Sequence, residues 1–510
     1  MKYSAAFTSD IHTQLIFHLI RKDRQEDLCF ALWYPSQGSE RLTALLQEVV
    51  LPEVGDHNVH GNASFNPEYF ERVLGFALQK KAGIAFLHSH LGPGWQGMSN
   101  DDFFAEKKMA GSIKAATGLP LIGLTVGTDG SWSARVWEKK ENGNFDPFSC
   151  ENVRVIGENG LDVTFDDYLL LPPQPQEELK RTISSWGLKS QQKLARLKIG
   201  VVGLGSVGAI VAEGLARMGI EQITLIDFDR IEKHNIDRHL HASAHDAKNQ
   251  IPKVSLTADK LKKGATAKNF SVKESMFSVS EEEGFREAIN CDILFSCADK
   301  PLARYILNYI SHAYLIPVID GGIAIKVKKN NELQHAHWKA HTILPASRCL
   351  ECLDQYDPAH VQLERDGFLD DPKYIDGLDD EHVLKSNQNV FPFSLNLASL
   401  EIMQMLSLVI KPSGISDVGE QNYSFVSGTM DVEYGTKCNK NCMFQSIIGL
   451  GDSANWPITS KNIVAEKMRE DQAKKHELTQ IRALDKTFFS KNLLRSKMKK
   501  LILAIYDKIN

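Results

Sequence analysis

The chain has 510 residues, with 59 Lys or Arg against 64 Asp or Glu and a formal charge of −5. That length, with 43% hydrophobic residues, predicts two or three domains with sizeable cores and argues against a single compact domain. The near-neutral balance sets aside a global case for a nucleic-acid partner. The charge is uneven: from Lys461 onward, 13 Lys or Arg stand against 6 Asp or Glu, a net of +7, so the remainder carries about −12.

No run of 18 or more apolar residues occurs, and the N-terminus, MKYSAAFTSD, lacks the basic and apolar segments of a signal peptide. A cytoplasmic protein without a membrane partner is expected. Four of the eight cysteines form two close pairs, which in a reducing compartment suggests a metal before a disulfide.

Residues 1–165 read as an α/β domain. DLCFALWYP predicts a strand, PEYFERVLGFALQKKAG a helix, and IAFLHSH a buried strand ending at polar residues. A Gly-rich loop, GPGWQG, leads to a helix predicted from Asn100 to about Thr117, and PLIGLTVGTDG holds another strand. His88 and His90 are two apart on a strand, so both imidazoles point the same way. An acid within Ser99-Asn-Asp101-Asp102 can complete a three-ligand metal site with a position open for water.

Residues 166–180, which take in most of LLLPPQPQEELKR, are the linker candidate, because three prolines in four positions cannot sustain a helix or a central strand. LKIGVVGLGSVGAIVAEGLARMGIEQITLIDFD then reads strand, tight glycine turn, helix, strand, half of a doubly wound sheet. Gly203, Gly205 and Gly208 permit a tight turn that brings backbone donors toward phosphates, and Asp227 and Asp229 end the next strand. The alternative is a glycine turn kept for close helix packing. Further units follow in NFSVKESMF, CDILFSCAD with the helix LARYILNYISHA, and YLIPVIDGGI. The apolar helix SLNLASLEIMQMLSLVIK closes the core, and SFVSGTMDVEY reads as a strand. The last 50 residues read as a basic helical extension, with Leu493, Leu494, Met498, Leu501, Ile502 and Ile505 at mixed helical spacing.

A dehydrogenase would need a surface for a nicotinamide ring, whereas adenylation needs cations for a triphosphate and an acid for Mg²⁺. Arg238, Lys253 and Asp299 favour ATP. IDFDRIEKHNIDRH, QIPKV and SCADKPLAR resemble the ThiF/MoeB and ubiquitin-activating superfamily over about residues 181–445. The resemblance implies a Rossmann-like adenylation domain in which Asp227 or Asp229 holds the ribose, Asn235, Arg238 and Lys253 serve the nucleotide, and Asp299 binds Mg²⁺, with Arg304 on the following helix. It also implies that Arg181, in RTISSWG, reaches ATP across a homodimer. The carboxylate activated in that superfamily is the C-terminal glycine of a ubiquitin-like protein or sulfur carrier.

Cys349, Cys352, Cys438 and Cys442 can surround Zn²⁺, whose structural sites favour tetrahedral sulfur, although the second pair has one more spacing residue than is usual in the family. No cysteine lies between Leu353 and Lys437, where a thioester-forming cysteine would be expected, and Cys291 and Cys297 sit in an apolar strand pattern. The reading is that the chain stops at the acyl-adenylate.

His88-Ser-His90 with Ser99-x-x-Asp102 and the upstream Glu26 resembles the JAMM/MPN metalloprotease signature over about residues 10–140. The resemblance implies Zn²⁺ on His88, His90 and Asp102, Glu26 as general acid/base in the opening strand, and Ser99 at the oxyanion. Leu91 replaces the usual proline, and the loop is one residue longer than in the common pattern, which makes Asp101 the rival ligand. Together the two resemblances imply a dual enzyme of bacterial ubiquitin-like modification, a setting in part linked to antiphage defence. It would activate a ubiquitin-like protein ending in glycine, act with a conjugating-enzyme-like partner, and cleave at the same C-terminus. The alternatives are a non-catalytic scaffold that binds ubiquitin-like proteins and an activator of a sulfur carrier for cofactor synthesis.

Overall fold

The computed structural model describes residues 1–60, 62–330, 332–345, 347–370, 388–454 and 462–474. Met1–Ser460 form one compact unit and Lys461–Asn510 a second, whose described part holds a helix over 463–474. The apolar positions from Leu493 to Ile505 singled out above lie outside the described residues.

Eleven strands belong to the N-terminal half: β1 Lys2–Thr8, β2 Leu28–Gln37, β3 Arg41–Val50, β4 His57–His60, β5 Asn62–Phe65, β6 Gly83–Ser89, β7 Leu121–Val126, β8 Trp132–Lys139, β9 Phe145–Ser149, β10 Asn152–Gly157 and β11 Gly160–Phe165. Nine of them form one sheet in the order β11-β10-β1-β3-β2-β6-β7-β8-β9, while β4 and β5 pair as a separate hairpin. The sheet curls back on itself. Trp132 of β8 packs edge-on against Phe7 of β1 at 5.4 Å, and Cys150 N donates to Ala134 O. Strand β6 is buried along its whole length, as expected for a central strand covered on both faces.

Three helices lie against this sheet: Ser9–Leu19, which buries Leu15 and Leu19, and two more whose ends follow from local chemistry. Pro67–Lys80 begins with proline at its first turn, buries Tyr69, Val73 and Ala77 at four-residue intervals, and stops where Lys81 turns left-handed. Asn100–Thr117 opens on a reciprocal capping box between Ser99 and Asp102 and ends at Gly118, with φ 73°.

The C-terminal half contains β12 Lys198–Val202, β13 Gln222–Ile226, β14 Ser271–Ser275, β15 Ile293–Ser296, β16 Val318–Val327, β17 Leu333–Ile343, β18 Glu420–Ser424 and β19 Thr429–Glu433. Their order is β14-β13-β12-β15-β16-β17-β18-β19. The first five are parallel and doubly wound; the last three continue as an antiparallel extension. The segment SFVSGTMDVEY is therefore not one strand. The chain reverses through 425–428, where Gly428 takes φ 68°, so turn chemistry prevails over the β-propensity of Phe425 and Val426.

Helix Phe391–Ile410 is long and apolar enough to cross a membrane by length and composition, but more than half of it is buried in the fold. It crosses helix Ser206–Arg217 closely: a Cβ on Gly214 would lie 2.5 Å from Ile402 Cδ1. The proline-rich segment contains no strand. It is nevertheless pinned to the next helix, because Pro173 O accepts from Gln192 and Leu170 O from Arg196.

The two sheets share a core in which Ala6, Leu45, Ile156 and Phe165 pack with Leu197, Ile199, Met405 and Leu408. A buried charge cluster lies beside it. Asp292, before β15, accepts from Arg41 Nη1 at 2.7 Å and from the backbone N of Lys198 at 3.0 Å, with Arg154 Nε at 3.6 Å. Burial disfavours the Asp292 carboxylate, but Arg41, Arg154 and Lys198 hold its pKa below the usual range. Asp292→Asn would strand two buried guanidinium groups. It is expected to cost about 3–5 kcal/mol, measurable by urea unfolding.

Candidate functional site

Strand β12 runs into Gly203, which takes φ 89°, and the following helix begins at Ser206. A Cβ on Gly203 would meet the Cys297 carbonyl at 2.7 Å, and one on Gly208 would lie 1.9 Å from Gly203 O. Both glycines are therefore required by close backbone approach, and the loop presents a helix N-terminus to solvent. Thus close helix packing and a helix N-terminus coexist in the same turn.

Asp227 braces this loop from the end of β13. Its carboxylate accepts from Leu204 N at 2.6 Å and Asp229 N at 2.7 Å, and burial raises its pKa although Lys253 opposes the shift. Asp229 is more open and accepts from Lys253 Nζ at 2.8 Å. Lys253 begins helix Lys253–Gly264. Burial works against its charge, yet Asp227, Asp229 and Asp299 raise its pKa overall. Asp299 is exposed after β15 and within electrostatic reach of Lys253, so a carboxylate is available to a cation beside the loop.

Asn235 and Arg238 occupy the segment after β13. Asn235 closes a capping box with Glu232, and Arg238 donates to His234 O and to Asp237 at 3.0 Å. His239 Nε2 lies 3.1 Å from Leu204 O, so this histidine supports the glycine turn. Arg181 is exposed on helix Lys180–Trp186, where its carbonyl accepts from Ser184 and Ser185; no described contact brings it to the loop of its own chain.

Arg304 ties this region together. Nε donates to Ala298 O, Nη2 to Gly321 O and Nη1 to Gln355 O, the last in the turn after Cys352. The four sulfurs of Cys349, Cys352, Cys438 and Cys442 lie within 4.8 Å of one another, a donor set suited to a tetrahedral soft-metal site. Cys29, Cys150 and Cys291 are fully buried, and burial raises their thiol pKa values, that of Cys291 to about 12. Cys297 contacts Glu401 at 3.6 Å, and its thiol is also pushed well up by burial.

In the N-terminal half, β6 delivers His88 and His90 to one place. Their Nε2 atoms are 3.2 Å apart, and Asp102 oxygens lie 3.3 Å from His88 and 3.1 Å from His90. Asp102, rather than Asp101, joins this group. Burial raises the Asp102 pKa, but the two imidazoles outweigh it and hold the carboxyl far below the usual range. Two nitrogens and one carboxylate leave a tetrahedral position open, which fits a catalytic zinc donor set. His88 Nδ1, however, is buried without a hydrogen-bond partner, so the outer-shell bond usual for a ligating histidine is missing there.

Glu26 precedes β2 instead of lying within it. Leu28 pairs with His88, so Glu26, two residues earlier, extends toward the His90 end. Ser99 Oγ accepts from Asp102 N at 3.1 Å, which gives that hydroxyl a helix-capping duty.

Several supporting residues had no readable sequence signal. Thr125 Oγ1 lies 3.3 Å from His88 Nε2 and is backed by Arg135, which pairs with buried Glu106. Asn389 Nδ2 donates to Ser206 Oγ at 2.7 Å, linking the start of Phe391–Ile410 to the glycine loop. Such partners are set by long-range pairing rather than by a local pattern.

Residues 179–408 match the ThiF family. The adenylyltransferase and sulfurtransferase UBA4 of Yarrowia lipolytica is 28% identical over 168 residues, covering 33% of this chain and 40% of the relative. The sulfur carrier protein ThiS adenylyltransferase of Bacillus subtilis is 22% identical over 270 residues, 50% of this chain and 74% of the relative. The chain thus spans less than half the length of the first of these. Among solved structures, Escherichia coli MccB with ATP is 20% identical, with a TM-score of 0.40 over 53% of this chain and 74% of that one. Residues 1–178 lie outside the family match.

Burial, with help from Lys253 and His241, pushes the His239 pKa down to about 4. Its contribution to stability should be complete above the ordinary histidine value of about 6.5 and decline as pH falls from there toward about 4. A ring-resonance titration by NMR should find the neutral form down to about pH 5; a midpoint near 6.5 would place His239 outside the buried loop contact.

Proposed function

Since residues 179–408 match the ThiF family, we propose that this chain uses ATP to adenylate the C-terminal carboxylate of a ubiquitin-like or sulfur-carrier protein. The observation that carries the reading is the convergence of the glycine turn, Asp227, Lys253 and Asp299 within the matched region. A carboxylate oxygen attacks the α-phosphorus, the bond to the bridging oxygen breaks, and pyrophosphate leaves with its electron pair. Lys253 and Arg238 stabilise negative charge on the phosphates, and loop N–H groups orient them. Asp227 or Asp229 accepts from the ribose hydroxyls, with Asn235 beside them. Asp299 would hold Mg²⁺, which supplies further charge neutralisation. Arg181 serves the nucleotide of a second copy in a homodimer.

A second reading concerns the N-terminal half, and the clustering of His88, His90 and Asp102 favours it. These residues would hold Zn²⁺, whose chemistry is to acidify a bound water. Glu26 would take that proton and return it to the leaving amine, and Ser99 would face the developing oxyanion. Cleavage at a modifier's C-terminus would suit a protein that also activates that terminus, and a conjugating-enzyme-like partner would receive the product.

Pyrophosphate–ATP exchange with glycine-terminated carrier proteins tests the first reading. Exchange should require the carrier and fall by about 100-fold or more in Asp299→Ala; carrier-independent or absent exchange would reject adenylation. Metal analysis tests the two donor sets separately. Cys438→Ser should lose zinc and lower Tm, whereas His90→Ala should lose zinc from the other site with the cysteine-bound metal retained. A metal-free wild-type chain after zinc-supplemented purification would remove both assignments.

A further inference from the structure

One face of β16, β17 and β18 is covered; the other is buried at Asp320 and His341 and opens along its outer part. On the covered face, Ala336, Trp338 and Ala340 pack with Phe393 and Leu397 of the long helix. Alternate residues point to the opposite side. There the register pairs Gly322 with Lys339, Ala324 with His337, and Lys326 with His335. Lys326 is exposed, and His335, His337 and Lys339 are partly exposed.

These four side chains form no ion pair among the described residues. The rings of His335 and His337 are 5.0 Å apart, and His337 Nδ1 is buried without a hydrogen-bond partner. Burial first, then His335 and Lys339, lower the pKa of His337, as expected where basic groups crowd together. Three acids share this face: Glu420 and Glu433 pair with Arg348, and Asp431, in register with Asn422 of β18, lies two strands beyond Lys339, roughly 10 Å away.

The inner end of the strip meets the nucleotide region. A Cβ on Gly322 would come 2.9 Å from Arg304 Nη2, and Arg304 Nε donates to Ala298 O, immediately before Asp299. From Gly322 the strand carries the strip outward to Lys326, about 13 Å at antiparallel spacing, the reach of roughly four extended peptide residues. The aromatic side chains Trp338 and Tyr423 belong to the covered face, so the basic side lacks the stacking platforms that accompany single-stranded nucleic-acid binding.

We propose that this strip binds an extended acidic segment lying just upstream of the C-terminal carboxylate of the protein substrate. The destination of that carboxylate rests on the adenylation reading; the charge preference of the strip does not. Lys326 and Lys339 attract the segment electrostatically, the two imidazoles contribute hydrogen bonds, and the small, exposed Ala324 leaves room for a passing backbone. Carriers with neutral or basic residues at those upstream positions would bind less well.

Fluorescence anisotropy of the full chain with labelled peptides tests this. One peptide carries four glutamates before a free Gly-Gly terminus, a second has glutamine at those positions, and a third lysine. At low ionic strength the glutamate peptide should bind at least about tenfold more tightly than the glutamine peptide, with the difference shrinking as salt is added. The double variant K326E/K339E should reverse the preference and favour the lysine peptide, a gain that misfolding cannot produce. Equal binding of the glutamate and glutamine peptides, or an unchanged preference in the double variant, would overturn the proposal. Charge-dependent binding without pyrophosphate exchange would uphold the strip and sink the adenylation reading. Carrier-dependent exchange in which the double variant keeps the wild-type preference would do the reverse.

Discussion

A carboxylate with no access to water joins the two halves of this protein. Asp292 sits at the start of β15 in the nucleotide-type sheet, while its guanidinium partners Arg41 and Arg154 come from β3 and β10 of the other sheet. Removing three charges from water is costly, and mutual attraction offsets that cost only while their geometry is held. Asn290 adds to the arrangement by accepting from Glu40 N and Arg41 N, and Asp452 binds Gln37 N, Arg286 and Tyr314 on another side. Each contact draws one partner from either half or from the segment that returns between them. The His88 group and the glycine turn are consequently parts of one packed body, and a disturbance of the shared core reaches both.

Within the C-terminal half, the analogous constraint is the glycine turn. A carbonyl and a helix can approach at Gly203 and Gly208 only because neither carries a Cβ. The N–H groups released by that approach need acceptors, and Asp227 supplies one to Leu204 while positioning Asp229. Asp229 then pairs with Lys253, and Arg304 fixes the backbone before Asp299 while also holding the turn after Cys352. The cysteine cluster is thereby connected to the nucleotide region through one guanidinium.

The local parts of this arrangement were legible in the sequence. Ser99 and Gly118 bound their helix because capping and left-handed residues act over a few positions, and β12, the glycine turn and β13 follow from hydrophobic pattern and spacing. The HxH strand and both cysteine pairs were readable for the same reason. The hairpin at 425–428 was not, since Phe425 and Val426 favour a strand and the turn depends on Gly428. Nor could local pattern reveal Asn389 reaching Ser206, Thr125 behind His88, or Arg41 meeting Asp292. Those pairs are separated by 183, 37 and 251 residues and come together only after the sheets assemble. The open basic face belongs to this second class: QHAHWKAH shows alternation, but only the register with β16 puts Lys326 beside the histidines.

Cysteine accounting constrains what can follow an acyl-adenylate formed at this site. All eight cysteines are among the described residues: four converge in one cluster, three are fully buried with raised thiol pKa values, and Cys297 packs against Glu401 with its thiol also pushed up. A thiolate must be both accessible and ionised to attack, and none of the four outside the cluster meets both conditions. The stretch from Leu353 to Lys437 contributes no other thiol. Using a cluster cysteine would require removing it from the donor set that draws Cys349 and Cys352 against Cys438 and Cys442. Under the adenylation reading the mixed anhydride therefore goes to a nucleophile on another molecule.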